Sequence, residues 1–216
     1  MEGPDTFTQL PLAIDPSTKA ISTSSSTYTS AALEAELTAL NQLHRSFIKD
    51  IENPLGVPPP PVPVNPKRSA QITKLREAGN ASYKKGAYAD ACKMYTLALD
   101  MAAQRPVWEP AGLVREELSM LYGNRSQGYM ARRMWAEAAL DAFSATELKK
   151  VGNAKGWWRR ANCLKEMGRL AEAGEVLREG IDFESAGGDK RGVEELVMLF
   201  KEVEDKKSGA AAAVVA

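Results

Sequence analysis

Five donor-bearing side chains recur at helical spacing along the chain. Arg76 and Asn80 stand four residues apart, Lys155 and Arg159 do the same, and Asn124 lies between the two pairs. Residues four apart share one face of a helix, so each pair presents its donors side by side. Guanidinium, ammonium and carboxamide groups all donate hydrogen bonds, and the cationic ones do so most strongly to anions. The chemistry of such a set is to hold negative charge in place. Nothing near it is equipped to break a bond. His44 is the one histidine, which removes His-based triads and multi-His metal sites. Neither G-x-x-x-x-G-K-[ST] nor G-x-G-x-x-G occurs, so the two common glycine-rich phosphate loops are absent. The residue types predict a binding protein with no catalytic residue, no metal and no cofactor.

What must position these donors is an internal repeat. Gly86-Ala87-Tyr88-Ala89-Asp90-Ala91, Arg133-Met134-Trp135-Ala136-Glu137-Ala138 and Gly168-Arg169-Leu170-Ala171-Glu172-Ala173 are versions of one phrase, with their last alanines 47 and 35 residues apart. The second spacing is close to the tetratricopeptide (TPR) period of about 34 residues, and the first is that period with about 13 residues inserted. Small residues precede each alanine at Gly79, Ser126 and Ala161 and follow it at Ala98, Ala145 and Gly180. These are the positions where two helices of a hairpin approach closely. The large slot holds Tyr95 and Leu177 but only Ala142 in the second repeat, and the repeat's usual terminal proline is missing. The expected fold is all-α, a three-repeat TPR solenoid over residues 70–186 whose A helices line a concave groove. An insertion at about 100–114, with Pro106, Trp108 and Pro110, is expected to lengthen one connection. A capping helix over 187–207, with Val193, Leu196, Val197, Phe200 and Val203 as its apolar stripe, should cover the last repeat. Residues 208–216 read as a disordered tail.

The segment before the repeats differs in character. Residues 1–52 are expected to form a small hairpin, turning at Asp15-Pro16-Ser17-Thr18, and an amphipathic helix from about Ala31 to Glu52. Its stripe of Leu33, Leu37, Leu40, Leu43, Phe47 and Ile51 must pack on the repeats or on a partner. Seven of the 12 prolines fall between Pro54 and Pro66, so residues 53–69 read as an extended linker. Docking to a proline-recognition domain is the other reading of that run. The 28 basic and 28 acidic residues cancel, yet residues 1–66 carry −4, residues 67–183 carry +6 and residues 184–216 carry −2. A neutral total speaks against nucleic-acid binding, while a basic middle suits an acidic partner. Cys92 and Cys163 fit no metal or disulfide spacing and are expected in the core. No signal peptide or stretch of 18 apolar residues is present, so membrane association is expected to come through a partner and without direct insertion.

In this setting the five donors resemble the dicarboxylate clamp found in one class of TPR domain. The resemblance is carried by Arg76-Glu77-Ala78-Gly79-Asn80, Tyr122-Gly123-Asn124-Arg125-Ser126 and Lys155-Gly156-Trp157-Trp158-Arg159. Arg76 departs from the usual lysine and replaces a point charge by a planar fork. The resemblance implies a ligand ending Glu-Glu-Val-Asp, whose terminal residue offers two carboxylates that cationic and amide donors hold together. An internal aspartate lacks the second carboxylate and is rejected. Tyr83 and Met130, in the same register, are expected to receive the valine. Arg125, Arg132, Arg133 and Arg160 are expected at a solvated rim that steers an acidic tail.

The likeness extends beyond the repeats. Thr6 to Pro16, Leu40 to Ser46, Pro63 to Ile72 and Arg105-Pro106-Val107-Trp108-Glu109-Pro110 together resemble the TPR subunit of the fungal post-translational endoplasmic reticulum (ER) translocation complex, the Sec complex. Such a subunit is non-enzymatic and peripheral on the cytoplasmic face of the ER membrane. It is held there by a membrane-anchored sister subunit and docks cytosolic heat-shock chaperones by their acidic C-terminal tails. A soluble TPR co-chaperone without a membrane partner, or a TPR scaffold for internal helices, are the alternative readings.

Overall fold

The computed structural model describes residues 10–24, 30–50, 64, 66–106, 109–187 and 190–215. The chain forms two compact units, Met1–Asn65 and Pro66–Ala216.

In the first unit, strands β1 (Leu12–Ile14) and β2 (Ile21–Thr23) pair antiparallel, with Leu12 opposite Thr23 and Ile14 opposite Ile21. The turn is set by Asp15, whose carboxylate accepts hydrogen bonds from the Ser17 and Thr18 N–H groups and the Ser17 hydroxyl at 2.6 to 2.8 Å. Those bonds, the Ser17 hydroxyl foremost, hold the Asp15 carboxyl well below the usual carboxylate range. Helix α1 (Ala31–Asp50) starts at Ser30, whose Oγ accepts from the Leu33 N–H at 3.1 Å. Asn41 of α1 grips β2 with both ends of its amide, accepting from Ile21 N–H at 2.7 Å and donating to Ile21 C=O at 2.8 Å. Leu33, Leu37, Leu40 and Leu43 are half-buried along one face. The side chains of Phe47 and Ile51 lie outside the described residues.

The second unit is a three-repeat TPR solenoid. Its hairpins are α2 (Pro66–Lys84) with α3 (Tyr88–Ala103), α4 (Ala111–Ala131) with α5 (Trp135–Leu148), and α6 (Ala154–Glu166) with α7 (Leu170–Gly187). Helix α8 (Lys190–Val215) packs on α6 and α7. The nine small residues of the repeated phrase are all buried. A Cβ added to Gly79 would stand 2.5 Å from the Tyr95 ring, and one on Gly180 would stand 2.8 Å from Trp157. Glycine is thus required where a large partner ring lies flat on the neighbouring helix. Each A-to-B turn needs one left-handed residue. Gly86 (φ +79°) and Gly168 (φ +76°) supply it in the outer repeats, and Arg133 (φ +58°) supplies it in the middle one.

Two apolar clusters sit at the ends of this unit. One joins Ile72, Leu99 and Leu121; the other gathers Trp157, Leu164, Leu177, Leu196, Leu199 and Val203. Trp157 is fully buried, stacks on Phe183 and donates from Nε1 to the Lys150 carbonyl at 2.9 Å. Both cysteines are free and buried. Burial pushes the Cys163 thiol up to about 12, which leaves it protonated and inert.

Between the clusters the middle repeat is held by charge. Arg125, expected at a solvated rim, instead makes a bidentate pair with buried Asp141 at 2.7 and 2.8 Å and donates to Thr96 at 2.9 Å. It lies over the rings of Tyr122 and Tyr129, and so ties α3, α4 and α5 together where Ala142 leaves the large slot small. Arg160 is likewise half-buried, over Phe143 and Trp157.

Several expected boundaries move. The segment expected as linker to residue 69 is helical from Pro66, because proline suits the first helical position, where its missing N–H is not needed. The insertion expected as a longer connection at 100–114 is mostly absorbed into α3 and α4, leaving 104–110 between them. There Arg105 is buried, donating to Glu117, Glu109 and Ser69. The final helix does not stop at 207 before a disordered tail. It continues to Val215 through Ala210 to Ala213, the strongest helix formers. On it Leu196 and Val203 of the expected stripe are buried and Val193 and Phe200 half-buried, while Val197 is 47% exposed and Leu199 is buried in its place. Trp108 lies outside the described residues.

Three stability measurements follow from this architecture. Arg133→Gly relieves a left-handed side chain and should raise stability in urea by about 0.5 kcal/mol, after glycine's greater freedom in the unfolded chain is offset. Gly86→Ala at the matching turn should lower it by about 1 kcal/mol. Asp141→Asn should cost about 2 kcal/mol with an unchanged denaturant slope, below the value for fully buried pairs because the Arg125 side chain is 18% exposed.

Candidate peptide-binding groove

The concave side of the second unit is lined by α2, α4 and α6, with α8 closing one end. Packing directs what faces it. On α4, Ser126 is turned to α5, donating to the Ala138 carbonyl at 2.8 Å, and Gly128 lies against Cys92 of α3. The remaining face carries Met120, Gly123, Asn124 and Gln127. On α6, Trp157 is buried against α7, and Lys155 and Arg159 are left for the groove.

The start of α6 is held firmly, which fixes Lys155 one residue inside it. Asn153 precedes the helix, donating from Nδ2 to the Ala145 and Lys149 carbonyls at 2.9 Å. Its own N–H, and that of Gly152, donate to the carboxylate of Glu184 at 2.6 and 3.2 Å. Glu184 is fully buried, and its charge sits at the N-terminal end of a helix, where negative charge is favoured.

Two adjoining cavities form the groove. The first, of about 740 Å³, is lined by Asn124, Lys155 and Arg159 together with Gln127, Asn153 and Glu195. The second, of about 580 Å³, has Tyr83, Met130, Trp135 and Trp158 on its walls. Gln127, Lys155, Arg159 and Glu195 line both. Five of the seven expected site residues are therefore brought together: Tyr83, Asn124, Met130, Lys155 and Arg159. Arg76 and Asn80 line neither cavity. Arg76 reaches Met120 of the first cavity's wall, with Nη1 2.8 Å from Sδ. The carbonyl end of Asn80 is taken up by the hydroxyl of buried Tyr95 at 2.7 Å.

The electrostatics of the groove are uneven. Lys149 and Arg191, two further cations of the first cavity, are paired with Glu116 at 3.2 Å and Glu195 at 3.3 Å. Arg76, Lys155 and Arg159 have no acidic partner among the described residues. Arg159 donates from Nη2 to the neutral Gln127 Oε1 at 3.1 Å. Burial pulls its guanidinium below its ordinary value, the signature of a cation separated from water without a counter-charge. Such a site stabilises an arriving carboxylate strongly. Gln127, Glu195 and Arg191 were not singled out by the repeat pattern. Gln127 was legible only as the residue one turn after Gly123 and Asn124, and the other two only once α8 is known to close the groove.

No family model matches the chain. It is 36% identical over 130 residues to the ER protein translocation subcomplex subunit sec67 of Schizosaccharomyces pombe, covering 59% of this chain and 67% of that protein. Among solved structures, one chain of the Sec complex from S. cerevisiae superposes with a TM-score of 0.64 at 23% identity, covering 93% of this chain and 99% of that one. The first TPR of Spaghetti (RPAP3), bound to the HSP90 peptide SRMEEVD, gives a TM-score of 0.51 at 21% identity over 65% of this chain and 95% of that one. Both share this fold. With its three TPR hairpins and its extended match to the fission yeast protein, the chain belongs to the family of the ER protein translocation subunit sec67.

Proposed function

We propose that this chain is a non-enzymatic adaptor of the ER translocation machinery, whose groove holds the acidic, EEVD-type C-terminal tails of cytosolic heat-shock chaperones and so helps deliver precursors for post-translational translocation. The observation that carries the reading is the absence of acidic partners for Arg76, Lys155 and Arg159 among the described residues, beside groove cations that are paired. The name of the relative sec67 supports the translocation role, and a TPR of the same fold bound to a peptide ending EEVD supports the ligand class.

The groove acts by complementarity. Asn124, Lys155 and Arg159 take the two carboxylates of the terminal aspartate in the first cavity, and Asn124 adds donors without adding repulsion among the cations. The valine side chain enters the second cavity against Tyr83, Met130, Trp135 and Trp158. Arg76 and Asn80 on α2 meet the tail where it leaves the cavities. The +6 charge of residues 67–183 speeds encounter with an acidic tail. Affinity is of order micromolar, about 8 kcal/mol, since a flexible tail is ordered on binding.

The protein sits peripherally at the cytoplasmic face of the ER membrane, held by a membrane-anchored sister subunit. This accords with the described residues, in which no helix is long and apolar enough to cross a membrane.

Titration with a Glu-Glu-Val-Asp peptide should show micromolar binding that weakens with salt and drops at least tenfold when the C-terminus is amidated. Arg159→Ala should weaken the free-acid peptide by roughly thirtyfold. Equal binding of free and amidated peptides would refute the clamp. In fractionated cells the protein should pellet with microsomes and be released when its membrane partner is deleted; a wholly cytosolic distribution would favour a soluble co-chaperone instead.

A further inference from the structure

We infer that Gln127 is an additional ligand-holding residue of the groove, donating from its side-chain NH₂ to the main chain of the bound tail. The inference rests on reading the groove as a site for an acidic C-terminal peptide. Gln127 lies one turn after Gly123 and Asn124 on α4 and belongs to both cavities. A peptide whose carboxylates rest on Asn124, Lys155 and Arg159, and whose apolar side chain enters the aromatic cavity, must pass it.

The orientation of this amide is locked. Its Oε1 accepts from Arg159 Nη2 at 3.1 Å. A carboxamide has its acceptor at one end and its donors at the other, so engaging Oε1 turns the NH₂ away from the guanidinium. Among the described residues that NH₂ has no partner. It is not one of the buried polar atoms without one, so it opens to the groove. An extended peptide presents a carbonyl about every 3.3 Å, and a tail crossing from one cavity to the other places one within reach. A neutral donor is suited to this position: between Lys155 and Arg159 a third cation would add repulsion, and an acid would neutralise Arg159. Glu195, which also lines both cavities, is already engaged by Arg191.

The free-acid and amidated Glu-Glu-Val-Asp peptides are titrated into the full chain carrying Q127M, Q127A or Q127E. Methionine keeps the length of the side chain and removes the donor, and alanine, a stronger helix former, controls for folding. Both should weaken the free-acid peptide roughly fivefold, the loss of one neutral hydrogen bond, and should weaken the amidated peptide by the same factor, because the acceptor is main chain. Q127E should lose more than about tenfold, as its carboxylate occupies Arg159 and repels the tail. Binding within about twofold of wild type in Q127M and Q127A would overturn the inference and leave the clamp standing. A loss confined to the free-acid peptide would also overturn it, by reducing Gln127 to a positioning residue for Arg159. Failure of the wild-type chain to bind either peptide would remove the clamp reading itself.

Discussion

How closely each A helix lies on its B helix governs the rest of the repeat unit. The contact positions hold glycine, alanine or serine, and at Gly79 and Gly180 a single added carbon would overlap Tyr95 or Trp157. At that separation no charged side chain fits between the paired helices without strain. Polar residues of the A helices are consequently sorted to the concave side or tied into a specific bond. Arg125 and Asn80 take the second route, through Asp141 and Tyr95. Asn124, Lys155 and Arg159 take the first. The groove is what remains of three helices after close packing has used their other faces.

Charge then separates into two populations. Arg105, Arg125, Lys150, Lys165 and Arg169 are each within 4 Å of a carboxylate, whereas the groove centre keeps cations beside a neutral amide. The exposed members, such as Arg169 with Glu172, add little to stability, whereas the buried Arg105 and Arg125 pairs tie helices together. Arg159 is the costly member, since a half-buried guanidinium without an anion has lost part of its hydration and gained one neutral acceptor. On the function proposed above, that cost is recovered when a carboxylate binds, and a local weakness of the free protein becomes affinity.

The repeat phrase made the helices, their small contact residues and most of the groove legible, because these depend on spacing alone. What spacing could not convey was the state of each side chain. Arg125 and Lys155 are both cations on A helices. Only the position of Asp141 on α5, seen once α4 and α5 are packed, distinguishes a structural pair from a groove residue. The insertion misled for a related reason: prolines at 106 and 110 read as a longer loop, but a helix can lengthen right up to such residues, and Arg105 then needs Glu109 and Glu117 to be buried. Likewise the alanine-rich end looked like a frayed terminus, although the same composition has the highest intrinsic helix propensity.

Rigidity at the start of α6 completes the physical case for a site there. The first turn of a helix has N–H groups without partners inside the helix and tends to fray, so a lysine one residue inside it is ordinarily a poor place to hold a ligand. Here Glu184 accepts from the backbone of Gly152 and Asn153, and Asn153 binds back to the carbonyls ending α5. The turn is thereby fastened to α7 on one side and α5 on the other. Lys155 and Arg159 start from a fixed backbone, so on the proposed function only side-chain freedom would be lost when a tail binds. Because ordering a flexible peptide already consumes part of the binding energy, a groove whose donors are fixed in advance keeps more of the remainder. The buried glutamate lines neither cavity, yet on the proposed function it supports the site through Gly152 and Asn153.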